Sequence, residues 1–445
     1  MWELPPPVRE ALDRLNRAGF EAYAVGGCVR DLLRGVSPHD WDIATSALPQ
    51  ETQRVFDTQR VIETGLPHGT LTVLLDGLSL EITTFREDGT YSDGRHPDRV
   101  TFTRSLAGDL GRRDFTVNAM AYHPQTGLVD PFGGQQDLQR RVIRCVGDPA
   151  ARFSEDALRL LRALRFASTL EFAIEPATAD ALSRLRHHLA VVSVERVAAE
   201  LTRLLCGKGV QEVLLRYPQV ICTALPELAP TVGFDQRNPH HLYDVYTHTA
   251  HAVGAVAPDP VLRWTMLLHD SGKPMRFTVD EQGVGHFKGH QAVSEAIAYD
   301  LLKRLRLDNA TIERVCTLIR WHDVQLEDSD ACVKRWLNRL GPDGFAQLLQ
   351  VKAADNAAQN PDDLPSRLEA LRALRERADR ILAERACFSQ KDLAVNGDDL
   401  QSLGIPAGPR LGLLLRELLE LVIDGRCENE KKALLQAAQT LYREL

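Results

Sequence analysis

The stretch Val25-Gly26-Gly27-Cys28-Val29-Arg30-Asp31-Leu32-Leu33-Arg34-Gly35-Val36-Ser37-Pro38-His39-Asp40-Trp41-Asp42-Ile43-Ala44-Thr45 changes character three times. The residues Ala22–Val25 leading into it read as a short buried strand, Gly26-Gly27 as a turn, Cys28–Leu33 as a helix and Asp42–Ala44 as a second strand. Glycine at the turn lets the backbone approach an anionic ligand such as a triphosphate. The helix that follows offers its N-terminal amides, with Arg30 one turn in.

On a strand, residues i and i+2 point to one face, so Asp40 and Asp42 share a face and Trp41 turns into packing. Paired carboxylates suit magnesium, which takes oxygen ligands and keeps several waters. Magnesium ions in turn suit phosphoryl transfer, where charge neutralisation and alignment do most of the work. Glu81, on a neighbouring strand, is the candidate third acid. A lone D-x-D triplet is a surface turn in most proteins; the run of strand, Gly-Gly, Arg-Asp-Leu-Leu and D-x-D is what carries the reading.

Working outward, period-2 runs at Leu71–Leu75 and Leu80–Phe85 flank a turn at Asp76-Gly77. Leu48–Phe56 is helical. The expected fold is thus an α/β N-terminal head with a small, partly antiparallel mixed sheet. From Phe153 onward apolar residues recur at helical spacing, for example Leu158, Leu161, Leu164 and later Val197, Leu201 and Leu204. Breaks near Pro226–His240 and Pro361–Pro365 divide the remainder into all-α neck, middle and tail blocks. The boundaries read 1–145, 146–235, 236–360 and 361–445, and 445 residues suit several cores.

Eight cysteines are scattered without a C-x-x-C pair, which argues against a disulfide framework or a zinc ribbon. No apolar run approaches the ~20 residues of a membrane span and Met1–Arg9 lacks an apolar leader core, so a cytoplasmic protein is expected. The formal net charge is -8, yet the stretch 95–165 holds twelve arginines, no lysine and eight acids, a local +4. Arginine rather than lysine suits bidentate contacts to phosphates and base edges.

The stretch 25–45 closely resembles the catalytic signature of class II tRNA nucleotidyltransferases, the bacterial CCA-adding enzymes and poly(A) polymerases of the DNA polymerase β-like superfamily. The resemblance implies that Asp40, Asp42 and Glu81 are catalytic, with Mg²⁺ on Asp40 and Asp42. It implies that Gly26, Gly27 and Arg30 meet the nucleotide. Arg112-Arg113-Asp114-Phe115-Thr116-Val117-Asn118 looks like the family's second motif, with arginine for phosphates and Asp114 and Asn118 for sugar hydroxyls. Ser154-Glu155-Asp156-Ala157-Leu158-Arg159 looks like its E-D-x-x-R template. There Glu155, Asp156 and Arg159, followed by Arg162 and Arg165, read the nucleobase, and Ser154 is the expected N-cap. A carboxylate accepts from the exocyclic amino groups of C and A and is repelled by the carbonyls of U and G.

The implied activity is template-independent addition of CCA, from CTP and ATP, to a tRNA 3′ end. A-only addition and poly(A) addition are the alternatives. The polar stretch 86–98 reads as a mobile loop; relatives that add only CC have it shortened. The tail segments 393–397, 404–409 and 425–429 resemble the CCA branch. No membrane or obligatory protein partner is implied.

A second pattern lies in the middle block: His248, then His269-Asp270-Ser271-Gly272-Lys273, His290, His322-Asp323 and Asp355. It resembles the HD superfamily of metal-dependent phosphohydrolases. The resemblance implies that His248, His269, Asp270 and Asp355 hold one metal, with His290 and His322 as the extra ligands of a binuclear site and Lys273 on a phosphate. Imidazole with carboxylate favours a transition metal. A phosphatase or 2′,3′-cyclic phosphodiesterase follows as a side activity or, alternatively, as the main one.

Overall fold

The fold is that of a computed structural model in which residues 2–63, 65–89, 100–238 and 242–444 are described. Two compact units separate, Met1–Pro226 and Glu227–Leu445.

The first unit opens with helix α1 (Pro6–Arg17), whose Val8, Ala11, Leu12 and Leu15 repeat at helical spacing and are buried. Strands β1 (Ala22–Val25), β2 (Trp41–Thr45), β3 (Arg60–Ile62), β4 (Thr70–Leu75) and β5 (Leu78–Thr84) follow, with α2 (Gly27–Leu33) and α3 (Pro49–Val55) between them. Asp76 and Gly77 join β4 to β5 with φ of 47° and 81°, the left-handed pair a tight hairpin needs. β6 (Arg86–Asp88) pairs with β7 (Val100–Phe102), so the expected loop begins and is followed by a strand; its residues 90–98 lie outside the described residues. After α4 (Leu106–Gly111), β8 (Ala121–His123) and β9 (Gly127–Val129) complete a sheet of order β3-β4-β5-β2-β1-β8-β9. At seven strands it is larger than expected. It is antiparallel except where β2 runs parallel to β5.

The register positions the site. Val25 pairs with Asp42, and Asp42 pairs with Glu81. The Gly26 turn, the second aspartate and the third acid therefore meet at one end of three adjacent strands. Trp41 turns the other way and packs with Leu12, Cys28, Leu80 and Ile82 in the core. Each such large apolar side chain contributes roughly 1.5–3 kcal/mol on burial.

Helices α5 (Gly134–Arg140), α6 (Pro149–Glu155) and α7 (Leu158–Leu170) come next, with β10 (Val142–Ile143) and β11 (Ala173–Ile174) as a small parallel pair. The unit closes with α8 (Pro176–Leu185), α9 (Val194–Leu205), α10 (Val210–Arg216) and α11 (Pro218–Ala224). Ser154 is not an N-cap. α6 starts five residues earlier, at Pro149, with the Asp148 carboxylate accepting from Ala151 N at 3.0 Å, and it runs through Ser154. The helix breaks at Asp156 (φ −136°, ψ 104°), whose Oδ1 accepts from Leu158 N at 3.0 Å and so starts α7.

In the second unit α12 (Val245–Ala255) and α13 (Pro260–Leu268) precede a hairpin of β12 (Thr278–Val279) and β13 (Gly285–His286), an exception to the all-α expectation. α14 (His290–Arg304), α15 (Asn309–Trp321) and α16 (Asp330–Ala357) pack on them. α16 kinks where Gly341 adopts φ 72° and ψ 168° ahead of Pro342, a backbone region essentially reserved for glycine. α17 (Leu364–Ala383), α18 (Gly397–Gln401), α19 (Pro409–Ile423) and α20 (Lys431–Glu444) follow. A separate tail core gathers Leu400, Ile405, Leu414, Leu418 and Leu434. Among the described residues no helix is long and apolar enough to cross a membrane, and all eight cysteines are unpaired.

Candidate functional site

In the first unit a cleft of about 530 Å³ gathers most of the residues singled out from the sequence: Gly26, Gly27, Arg30, Asp40, Asp42, Arg112, Arg113, Asp114, Asn118, Asp156, Arg159, Arg162 and Arg165. Two do not line it. Glu81 faces an adjoining cavity of about 240 Å³, which shares Asp42, Arg112 and Arg113 with the cleft. Glu155 is spent on structure, bridging Arg152 and Arg159 at 2.6 Å each.

Burial pushes the Asp42 carboxyl up to about 6; Arg113 opposes this, while Glu81 and Asp40 add to it. Acids crowded against one another in this way fit a divalent cation, which would relieve the repulsion. Arg113 Nη1 comes so near Gly26 that a Cβ there would lie 2.8 Å from it. Behind both motif arginines sits Asp109, fully buried, with Oδ1 on Arg112 at 2.8 Å and Oδ2 on Arg113 at 3.4 Å. Asp114 and Asn118 are tied into the frame as well. Asp114 accepts from Phe115 N, Asn118 Nδ2 and Arg162, and Asn118 Oδ1 accepts from Arg30 at 2.8 Å. Burial works against ionised Asp114, but Arg162, with Asn118 and Arg159, outweighs it and holds the carboxyl down at about 2.

The arginines expected to read the nucleobase are less free than their sequence suggests. Arg159 Nη1 donates to Glu155 Oε2 and Arg152 O, and Nη2 donates to Arg112 O. Arg165 lies 3.7 Å from the Phe166 ring centroid and pairs with buried Glu200 at 2.6 Å. Leu158, from the apolar repeat, lines the cleft. So do Phe166, Arg196 and Arg203, which the sequence reading missed. The signal was present: Arg196, Glu200 and Arg203 stand at i, i+4 and i+7 on α9, a charged face beside the apolar stripe that was read.

The second unit brings the His/Asp pattern together. His248 is on α12, His269 ends α13, His290 begins α14, His322 ends α15 and Asp355 is on α16. Each imidazole points its Nδ1 at a backbone carbonyl: Ala358, Met266, Phe287 and Ile319 respectively, at 2.6–3.2 Å. A carbonyl can only accept, so Nδ1 carries a proton and the four Nε2 atoms face inward. They meet in pairs 3.3 Å apart, His248 with His269 and His290 with His322. Two ring nitrogens this close need a proton or a metal cation between them.

Asp270 stands between the two pairs. Its Oδ2 is 3.2 Å from His269 Nε2 and 3.4 Å from His248 Nε2, and its Oδ1 is 3.2 Å from His290 Nε2. Neither oxygen receives a well-formed hydrogen bond, although Lys273 Nζ lies 2.7 Å from Oδ2. Asp355 Oδ1 is 3.0 Å from His248 Nε2. Burial disfavours ionised Asp270, yet His269 and Lys273 hold its carboxyl well below the usual range. Burial also lowers His269, but Asp270 and Asp355 reverse that and raise it to about 10; burial and His269 push His322 down to about 3. Among the described residues the His, Cys, Asp and Glu groups with ligand atoms within 4.8 Å of one another are His248/His269/Asp270 and Asp270/His290/His322. The head acids are more open, as suits an ion that keeps its waters and shares its shell with substrate phosphates.

The chain is similar to known proteins along most of its length. The family described as "Poly A polymerase head domain" matches residues 22–144, "Probable RNA and SrmB- binding site of polymerase A" matches 171–229, and "tRNA nucleotidyltransferase domain 2 putative" matches 279–438. The CCA-adding enzyme of Levilactobacillus brevis is 36% identical, over 96% of this chain and 96% of its own. That of Anoxybacillus flavithermus is 36% identical, over 96% and 95%. The chain belongs to the CCA-adding enzyme family. The solved Bacillus stearothermophilus CCA-adding enzyme in complex with CTP is similar over 99% of both chains, at 30% identity and a TM-score of 0.73. The Thermotoga maritima CCA-adding enzyme complexed with tRNA shares the fold at 20% identity, with a TM-score of 0.58 over 99% of this chain and 96% of its own.

For a CCA-adding enzyme the Gly26 turn is a demanding position. Gly26 has φ 78° and ψ −131°, which a side chain adopts only under strain, and a Cβ would displace Arg113. Strain of roughly 1–3 kcal/mol should pass into both folding and phosphate binding. Gly26→Ala is expected to lower kcat/KM for CTP by about 10–100-fold and to lower Tm. Unchanged kinetics would show that Arg113 is not held by this contact.

Proposed function

We propose that this chain adds C, C and A in turn to the 3′ end of tRNA, using CTP and ATP without a nucleic-acid template. The observation that carries the reading is a single cleft holding both the Asp40/Asp42 acids and Asp156 among arginines. Asp40 and Asp42, with Glu81 beside them, would hold Mg²⁺. When bound, that metal supplies charge neutralisation for the attacking hydroxyl and the departing pyrophosphate. Arg30, Arg112 and Arg113 bind and orient the triphosphate. The adjoining cavity that contains Glu81 takes the RNA 3′ end, which places the hydroxyl across Asp42 from the nucleotide. Asp156 accepts from the amino groups of C or A, and Arg159, Arg162 and Arg165 fix the base plane. We assign 1–145 to a catalytic head, 146–235 to a nucleotide-selecting and RNA-binding neck, 236–360 to an HD domain and 361–445 to a tRNA-binding tail. We place the protein in the cytoplasm.

The test is a product ladder on tRNA trimmed to the discriminator base, with CTP and ATP. Three added residues are expected. Arrest after CC, or a long A tail, would overturn the reading in favour of a partial or poly(A) activity.

A second activity is favoured by the converging Nε2 atoms and the bridging position of Asp270. His248, His269, Asp270 and Asp355 would hold one transition metal, and Asp270, His290 and His322 a second. When bound, such metals supply a hydroxide for phosphoester hydrolysis. Lys273, paired with Asp270 and Gln236 Oε1, borders a cavity of about 560 Å³ and is set to meet a phosphate.

A further inference from the structure

Arg196 stands 40 residues downstream of the acid it touches. Its Nη2 donates to Asp156 Oδ2 at 2.9 Å. Asp156 Oδ1 is taken by Leu158 N at 3.0 Å, so each carboxylate oxygen has one fixed partner and one acceptor site left. Both residues line the cleft, and the acid sits at the break between two helices rather than on a regular turn. Without Arg196, nothing among the described residues fixes Oδ2.

The position of Arg196 is itself built in. On the same helix Glu200 is 4% exposed and pairs with Arg165 at 2.6 Å and with Arg162 at 3.8 Å. Ser168 Oγ donates to Leu204 O at 2.7 Å, and a Cβ on Gly207 would lie 2.1 Å from that hydroxyl. These contacts lock α9 against α7, and Arg196 is carried to Asp156 as a consequence. A second observation points to substrate. Arg196 Nη1 is buried and has no hydrogen-bond partner among the described residues. A buried guanidinium donor left unmatched is uncommon, and it calls for an acceptor that arrives with a ligand. Asp156 then offers acceptors and Nη1 a donor side by side, the complement of an amino group next to a ring nitrogen.

We propose that Arg196 is a positioning and specificity-determining residue, which clamps Asp156 in the orientation that accepts from C and A. This rests on the reading of Asp156 as the nucleobase-selecting acid. Loss of the clamp lets the carboxylate rotate, so binding of the correct bases weakens and U is tolerated better. Arg196→Lys keeps one donor and the charge, and restores part of the effect.

The experiment is steady-state incorporation on trimmed tRNA with CTP, ATP, UTP and GTP separately, for wild type, Arg196→Ala, Arg196→Lys and Asp156→Asn. For Arg196→Ala, KM for CTP and ATP is expected to rise about tenfold or more with kcat changed far less. The preference for CTP over UTP should fall by about tenfold, Arg196→Lys should lie between, and adding Asp156→Asn to Arg196→Ala should cost little more. A merely structural arginine would instead lower Tm and depress all four nucleotides alike, and that result overturns the proposal. So does an Arg196→Ala protein of wild-type Tm whose CTP-to-UTP ratio is unchanged. Where Arg196→Ala does not fold, Arg196→Lys and Arg196→Gln carry the same comparison. Failure of the wild type to prefer C and A would remove the reading of the site; a discriminating wild type with an equally discriminating variant removes this inference alone.

Discussion

Asp42→Ala is expected to abolish nucleotide addition, with kcat down on the order of 10³-fold or more, which is about 4 kcal/mol of transition-state stabilisation. The fold should survive. Asp42 lies in β2 with its backbone in the ladder between Val25 and Glu81, and a strand alanine keeps those bonds. Its carboxyl is raised from 3.8 to about 6 by burial and by Glu81 and Asp40. For an acid whose folded value lies above its unfolded one, ionisation opposes folding. That cost is absent below the unfolded value, grows through the interval up to about 6 and is complete above it. In metal-free buffer at pH 7.5 the variant should therefore melt at or above the wild-type temperature. A clear fall in Tm would mean that lost activity reports damaged structure rather than a lost metal ligand. Asp40→Ala should behave alike in activity; Glu81→Ala separates the two cavities, since it touches only the one assigned to the RNA end.

How far the sequence could be read depends on whether a feature was local. The hairpin at Asp76-Gly77 was legible because two left-handed residues in a row are a chemical requirement of that turn. The Gly26 turn was legible for a similar reason; Asp40 stands just ahead of β2, and still reaches the same cleft as Asp42. β8 and β9 were not, because three residues carry no usable period. Ser154 carried a genuine capping signal, but Asp148-Pro149 carried a stronger one upstream and claimed the helix first. Glu155 and Arg159 looked like a pair aimed at substrate, and folding turned part of that pair inward, onto Arg152 and the carbonyl of Arg112. Asp109 and Arg196 matter through partners on other elements, and no spacing within one segment reports that. The four histidines are the opposite case. They are scattered over four helices, and only the ordered set as a whole made them readable before the geometry did.

Asp270 should prove the most sensitive position in the second unit. Its two oxygens face different histidine pairs, whereas Asp355 Oδ1 faces only His248 and His269, at 3.0 and 3.5 Å. Elemental analysis after metal loading should then separate them by stoichiometry. The wild type is expected to hold two transition-metal ions per chain, Asp355→Asn one, and Asp270→Asn none. Hydrolysis of a 2′,3′-cyclic nucleotide should be lost with Asp270→Asn. Stability should fall as well. In the metal-free protein Asp270 is the anion that balances Lys273, only 5% exposed, and the raised His269. Removing one partner of a buried charge set costs roughly 3–5 kcal/mol. For a unit of this size that is on the order of 10 °C in Tm. Asp355, which among the described residues forms ion pairs with two imidazoles and no lysine, should cost less. A wild type that takes up no metal sinks the assignment, and so does an Asp270→Asn protein with wild-type stoichiometry. One ion lost from each variant would mean that Asp270 serves a single site.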